Sequence, residues 1–332
     1  MLLGFAITQH CNLRCPHCIR DDVTTVRSLE ADLLLRVTDE ARQLFGEVTV
    51  SLTGGEPLLH PELETIVEGL RARGVPWRFV TNGWHLARAL PLFARHPPQA
   101  VRLSLSGATE AVHDAERGRG SFRRVMLAAA LLTSRRIPMV FSIVIDRRDR
   151  HQLAAASELA EGLGAVRLQV ILPQPVPQSV SRVSDLEPDE WPAVVREARV
   201  LASVPGRRTA ITVDYGAPPL DGEALERCET YRHQRLYVNV SGELSLCCQL
   251  SDYGATNSDV VVDLHHTQLA DAYREYSARL MALEADSASL GADDPLAGLP
   301  CLRCARASGK LDWLSRGPDS TWRRAALPLV HA

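Results

Sequence analysis

The chain has 332 residues, 45% hydrophobic and 23% charged, with a formal net charge of −3. That balance excludes the broad basic footprint of a nucleic-acid binder, and no apolar run approaches the roughly 18 residues of a membrane-spanning helix. The first residues lack the basic and apolar regions of a signal peptide. The expectation is a cytoplasmic protein with no nucleic-acid or membrane partner, in which clustered thiols hold metal rather than form bridges.

From residue 4 to about 173, short apolar runs alternate with amphipathic stretches. The predicted strands are 4–8, 47–53, 77–81, 100–106, 138–145 and 165–172, with helices near 29–45, 61–73, 85–95, 121–135 and 150–163. Ser28 is the predicted N-cap of the first helix, ahead of acidic residues in its first turn. Such alternation predicts right-handed βαβ units and a parallel sheet with ligands at the carboxyl ends of its strands. A Pro- and Ser-rich connector (172–190) precedes a helix near 188–203 and a region of new composition. There "RLYVNVSGELSLCC" reads as a hairpin turning at Ser241–Gly242, followed by a helical pattern over 266–285.

The polar punctuation falls where that architecture places ligands. "TQHCNLRCPHCIR" follows the first strand and holds Cys11, Cys15 and Cys18; "GGEP" (54–57) follows the second, "TNG" (81–83) the third, and "SLSG" (104–107) the fourth. Three thiolates on a short loop suit an iron–sulfur cluster left one protein ligand short. The competing reading is a zinc site completed by His10 or His17. Gly54 and Gly55 permit close backbone approach to a ligand, and Glu56 can accept hydrogen bonds from an ammonium.

C-x-x-x-C-x-x-C after a first strand, with "GGEP" after the second, resembles the radical S-adenosylmethionine (radical SAM) superfamily. The resemblance implies an α/β fold, a partial (βα)6 TIM-like barrel over 1–205, and a small C-terminal α+β auxiliary-cluster domain over 206–332. It implies a [4Fe-4S] cluster whose open iron chelates SAM, and a flavodoxin- or ferredoxin-type reductant. Reductive cleavage of SAM would then release a 5′-deoxyadenosyl radical that abstracts a substrate hydrogen atom. By resemblance Gly54, Gly55, Glu56 and Pro57 meet the methionyl end of SAM, with Asn82, Ser104, Ser106 and Ser142 as further contacts and His17 near adenine. Ser106 stands where many relatives carry an aspartate. Residues 101–125 resemble the fourth-strand segment of relatives with extra C-terminal clusters.

Cys228, Cys247, Cys301 and Cys304 resemble the ligands of the shortened SPASM, or twitch, domain, which implies a second [4Fe-4S] cluster; a zinc ribbon is the competing reading. Cys248, if the strand stays extended, faces away from Cys247. It is a buried thiol or, by resemblance to epimerising relatives, a hydrogen-atom donor. Asp21, Asp22, Asp214 and Tyr215 are candidates for a general base by position only. Ten residues precede Cys11, which tilts the expectation from a leader-bearing peptide toward oxidation or epimerisation of a carbon in an aminocyclitol, sugar or other small-molecule natural product. The alternatives are maturation of a ribosomal peptide by cross-linking, thioether formation or epimerisation, and a non-catalytic zinc or iron–sulfur protein serving as a binding module or electron carrier.

Overall fold

The computed structural model describes residues 1–19, 26–147, 149–175, 186–214, 228–251, 253, 256–288, 294, 296, 298–316 and 323. Strands β1 (Leu2–Thr8), β2 (Thr49–Gly54), β3 (Trp77–Thr81), β4 (Ala100–Leu105), β5 (Met139–Val144), β6 (Arg167–Ile171) and β7 (Ala210–Asp214) follow one another in chain order and pair in parallel. Beyond β1, strand β8 (Arg235–Val238) adds in parallel, and β9 (Glu243–Ser245) and β10 (Val260–Asp263) add antiparallel. One ten-stranded sheet results, in the order β10-β9-β8-β1-β2-β3-β4-β5-β6-β7.

The helices α1 (Ala31–Phe45), α2 (Leu63–Ala72), α3 (Leu86–Arg95), α5 (Ser121–Ser134), α6 (Leu153–Gly162) and α7 (Trp191–Ala202) match the expected crossovers. Strand parity explains the two faces, because alternate side chains point to opposite sides. Phe5, Val50, Leu52, Phe79, Leu103 and Phe141 take the buried apolar face and belong to one core cluster. In α1, Leu34, Val37, Thr38 and Ala41 repeat at helical spacing on the buried side. The opposite face of the strands carries Ser51, Thr53, Arg78 and Arg102 round a cavity. On a flat sheet β8 and β4 would stand about 19 Å apart, four strand spacings. Arg235 of β8 and Arg102 of β4 nevertheless line one cavity, so the sheet curls into a partial barrel.

Several expectations need correction. Ser28 does not cap α1: Glu30 holds that position without a side-chain bond. Ser28 pairs instead with Thr8 in an antiparallel bridge, their hydroxyls 2.9 Å apart. Helix α4 (Glu110–Arg117) has no apolar stripe to betray it, since its buried residues are His113 and Glu116. The parallel series runs beyond the six expected strands to a seventh, β7.

The β8–β9 hairpin turns as read, with Gly242 at φ 76° and Asn239 Oδ1 accepting from Ser241 N and Glu243 N. Helices α8 (Leu269–Ala288) and α9 (Pro300–Ala307) complete this region. It is tied to α1 where Leu269 N donates to Glu40 Oε2 at 2.6 Å. Among the described residues no helix is long and apolar enough to cross a membrane.

Candidate active site

Beyond Thr8 the chain leaves the sheet for the cysteine loop, whose base is closed from two sides. The returning segment 27–29 lies antiparallel to the end of β1, with Gln9 N donating to Arg27 O at 2.9 Å and Leu29 N to Ile7 O at 2.8 Å. On the other side Gly55 N donates to Thr8 O at 2.6 Å and Glu56 N to His10 O at 2.8 Å. Only glycine permits this approach. A Cβ on Gly54, at φ +122°, would lie 2.4 Å from Thr8 O, and one on Gly55 2.1 Å from His10 O. The two glycines read from the sequence as making room for a ligand here let the two backbones touch, and so fix the loop that carries the cysteines.

Glu56 follows as the clasp of the turn. It is fully buried, and its carboxylate accepts from Thr81 Oγ1 at 2.7 Å, Asn82 N at 2.8 Å and Leu58 N at 3.2 Å. The last bond caps the short 3-10 turn Pro57–Leu59, with buried Pro57 at its start. Three of about four acceptor directions are thereby used. Asn82 extends the clasp to the cysteine loop, its Nδ2 donating to Asn12 Oδ1 at 2.9 Å.

Burial pushes the Glu56 carboxyl up from 4.5 to about 7, against the bonds from Asn82, Thr81 and Leu58. Because the folded value is raised, Glu56 contributes its stability below the unfolded value near 4.5 and loses it as pH rises through about 7. In urea unfolding at a series of pH values, the apoprotein should lose up to about 3 kcal/mol relative to Glu56→Gln between about pH 4.5 and 7.5. A constant difference would show that burial does not govern this carboxyl.

Cys11, Cys15 and Cys18 are all partly exposed, and Cys18 N donates to Cys15 O in a turn at 3.1 Å. Arg117 at the end of α4 organises their surroundings. Its Nε donates to Ser106 Oγ at 2.6 Å and its Nη2 reaches His17 Nε2 at 3.3 Å, while Nη1 lies 3.9 Å from Cys15 Sγ. His17 Nδ1 in turn stands 3.6 Å from buried Glu116. Burial pushes the Cys15 thiol up and the Arg117 guanidinium opposes it. Ser106 N donates to His113 Nδ1 at 3.2 Å, and burial drives that imidazole down to about 3, so it is neutral. The resemblance over residues 101–125 takes in Glu116 and Arg117 without singling them out. No local signal separates them from solvated charges, because their partners lie on other segments.

The remaining predicted residues divide. Ser104 and Ser142 are register partners on β4 and β5 and share one face. Asp214 accepts from Gln169 Nε2 across β6 and β7; Asp21, Asp22 and Tyr215 lie outside the described residues. In the C-terminal region β9 ends at Ser245, and Cys247 O accepts from Leu250 N and Ser251 N at 3.1 and 3.0 Å. The paired cysteines therefore sit at a turn, and the opposite-face argument for an extended strand does not apply. Their thiols are hydrogen-bonded, a contact that raises Cys247 and lowers Cys248. Cys301 lies within electrostatic range of Cys228, Cys248 and Cys304, and of Cys247 in turn. Tyr231 Oη meets Cys304 Sγ at 3.1 Å.

Between the two cysteine groups lies a cavity of about 220 Å³ lined by both Cys18 and Cys248. Its wall also includes Arg78, Arg102 and Arg235. None of the three was singled out from sequence, although each sets a cation at the inward parity of a strand otherwise read as apolar.

The three-thiol loop thus stands clasped at the carboxyl end of the first strand of a curled parallel sheet. Residues 5–160 match the Radical SAM superfamily, so this segment of the chain carries a domain of that family. Among relatives, PqqA peptide cyclase of Ruegeria pomeroyi is 33% identical over 168 residues, 49% of this chain and 45% of that protein. AdoMet-dependent heme synthase of Methanosarcina barkeri is 29% identical over 177 residues, 51% of this chain and 49% of that protein. The chain thus spans about half the length of these curated relatives. Streptococcus suis SuiB bound to its precursor peptide SuiA shares the fold at a TM-score of 0.70 and 11% identity, covering 91% of this chain and 70% of SuiB.

The family implies a [4Fe-4S] cluster and SAM, and the residues present fit the cluster. Cys15 lies within electrostatic range of both Cys11 and Cys18. Among the described residues no three His, Cys, Asp or Glu side chains gather closely enough for a single metal ion. Three thiols on one loop suit a cluster that takes each at a separate iron.

Proposed function

We propose that this chain is a peptide-modifying radical SAM enzyme with a second [4Fe-4S] cluster held by Cys228, Cys247, Cys301 and Cys304 in an auxiliary region beginning near residue 206. The observation that carries the reading is the single cavity lined by Cys18 from the first cysteine loop and Cys248 from the second group. A substrate in that chamber touches both ends of a radical reaction. The kinship with a peptide cyclase favours a peptide over the sugar or aminocyclitol expected from the sequence.

Cys11, Cys15 and Cys18 hold the first cluster, and the one remaining acceptor direction of Glu56, with Gly54, Gly55 and Pro57 shaping the turn, receives the amino group of SAM. Ser104 and Ser142 on their shared face, with Asn82, Ser106 and His17 around the loop, line the rest of the SAM site. When bound, SAM and the reduced cluster supply a 5′-deoxyadenosyl radical that takes a hydrogen atom from the substrate. Cys248 lines that chamber beside Tyr237 and packs against Ala6, Tyr237 and Val240. Its S–H returns a hydrogen atom to the substrate carbon, leaving a thiyl radical for the reductant, a flavodoxin- or ferredoxin-type protein, to restore with one electron and a proton.

The test is anaerobic turnover with candidate precursor peptides, read by mass spectrometry in D2O. Wild type should form 5′-deoxyadenosine and a product carrying one solvent deuterium. Cys248→Ala should still form 5′-deoxyadenosine while the deuterated product disappears. Product with no solvent deuterium would exclude hydrogen return and favour cross-linking. Cys301→Ala should lower iron from roughly eight to roughly four atoms per chain and cut product at least about tenfold; unchanged iron would refute the second cluster.

A further inference from the structure

We infer that Lys310 is a positioning residue for the second cysteine group: its buried ion pair with Asp259 fixes the helix carrying Cys301 and Cys304 against the turn carrying Cys247. The inference deepens the reading of a second cluster above and rests on it.

Lys310 is the one lysine in the sequence, and it is among the largest fully buried side chains. Its Nζ stands 2.5 Å from Asp259 Oδ1, with the two side chains 1% and 3% exposed, and it donates also to Thr256 O. A buried ion pair is a poor source of stability, because desolvating two charges offsets most of their attraction. What such a pair adds is a fixed distance and direction, which an apolar contact does not impose.

Both ends of the pair are tied to cysteines. On one side Lys310 closes the end of α9. Gly309, at φ 65°, donates to Arg306 O at 2.9 Å and Lys310 N to Ala305 O at 2.8 Å, the paired bonds of a helix stop turned by a left-handed glycine. Ser308 N donates to Cys304 O at 3.0 Å in the same turn. On the other side Asp259 O accepts from Leu246 N, the residue before Cys247, at 2.9 Å, and Val260 is the register partner of Ser245. Two further bonds hold the segment between them. Ser258 Oγ donates to Ser308 O, and Arg279 of α8 donates to Ser258 O at 2.6 Å and to Val260 O.

Residues 256–260 thus form a strap that joins Cys247 to a C-x-x-C pair more than fifty positions later in the chain. A four-iron cluster takes each thiolate at a separate iron, so it is retained where the thiols keep one spacing. Lys310 sets that spacing through the backbones of both halves rather than by ligating iron.

The experiment compares the full chain, Lys310→Met and the double variant Lys310→Met/Asp259→Leu, each as apoprotein and after anaerobic reconstitution. Lys310→Met leaves Asp259 buried without its cation, so its apoprotein should unfold at lower urea. The double variant replaces the pair by apolar groups of similar volume and should recover the wild-type midpoint. Its second cluster should nevertheless lose iron to a chelator at least about tenfold faster than the parent, and its reduced electron paramagnetic resonance spectrum should shift. Both readings are taken in a Cys15→Ala background, so that the second cluster is seen alone. A double variant that recovers stability and matches the parent in iron release and spectrum overturns the positioning role and leaves the second cluster standing. A double variant no more stable than Lys310→Met also overturns it, since the pair would then serve the fold alone. Wild-type protein that never holds more than roughly four irons overturns the second cluster, and the positioning role with it.

Discussion

Cys15→Ala should abolish reductive cleavage of SAM, with 5′-deoxyadenosine falling to the level of a no-enzyme control. Cys15 is one of three thiols on a loop whose base is pinned by backbone bonds to both Arg27 and Gly55, so no other cysteine of the loop can move to replace it. Removing one of three thiolates leaves two protein ligands for four irons, and such a cluster is not retained. Iron should fall by roughly four atoms per chain, while the auxiliary group keeps its share. The measurement is paired iron quantification and chromatography of nucleoside products after dithionite reduction. Full cleavage activity in Cys15→Ala would remove the cysteine loop from the mechanism.

Gly55→Ala should be nearly as damaging although it touches no metal ligand. The added methyl would stand 2.1 Å from His10 O, and His10 is adjacent to Cys11. Relief requires parting the two backbones, which sacrifices the bonds from Gly55 N to Thr8 O and from Glu56 N to His10 O. The expected loss is about 2–4 kcal/mol of stability, the range of overpacking plus broken buried hydrogen bonds, with poor cluster incorporation. Gly162→Ala, in α6 where an added methyl meets nothing within 4 Å, should be neutral or slightly stabilising. Denaturant melts of the two apoproteins make the comparison. Equal stability of both variants would show that the turn does not clamp the loop.

How much of this was legible beforehand depends on which physical signal each residue emits. The strand and helix series was readable because parallel strands covered by helices are continuous apolar runs and their helices carry a clear stripe. Helix α4 escaped because its buried side, His113 and Glu116, is polar. The cysteine loop and "GGEP" were readable as local spacing, but the use of the glycines was not. Their Cβ clashes are with residues more than forty positions earlier in the chain, contacts that only the sheet creates. Ser28 carried a correct local capping signal that a tertiary bridge to Thr8 overrode.

Arg117 is the clearest omission. Its partners Cys15, His17 and Ser106 come from two other segments, and nothing local distinguishes it from a solvated arginine. The inward arginines were detectable in principle as charges at one parity of strands that otherwise read as buried. Their convergence on Cys248 depends on the curl of the sheet, which no single strand encodes.

The most direct measurement of the central claim is electron paramagnetic resonance of the reconstituted, dithionite-reduced protein with and without SAM, carried out on Cys301→Ala so that the first cluster is seen alone. A cluster held by Cys11, Cys15 and Cys18 should give a reduced-cluster spectrum whose g values shift when SAM is added. A spectrum unchanged at saturating SAM would contradict the account.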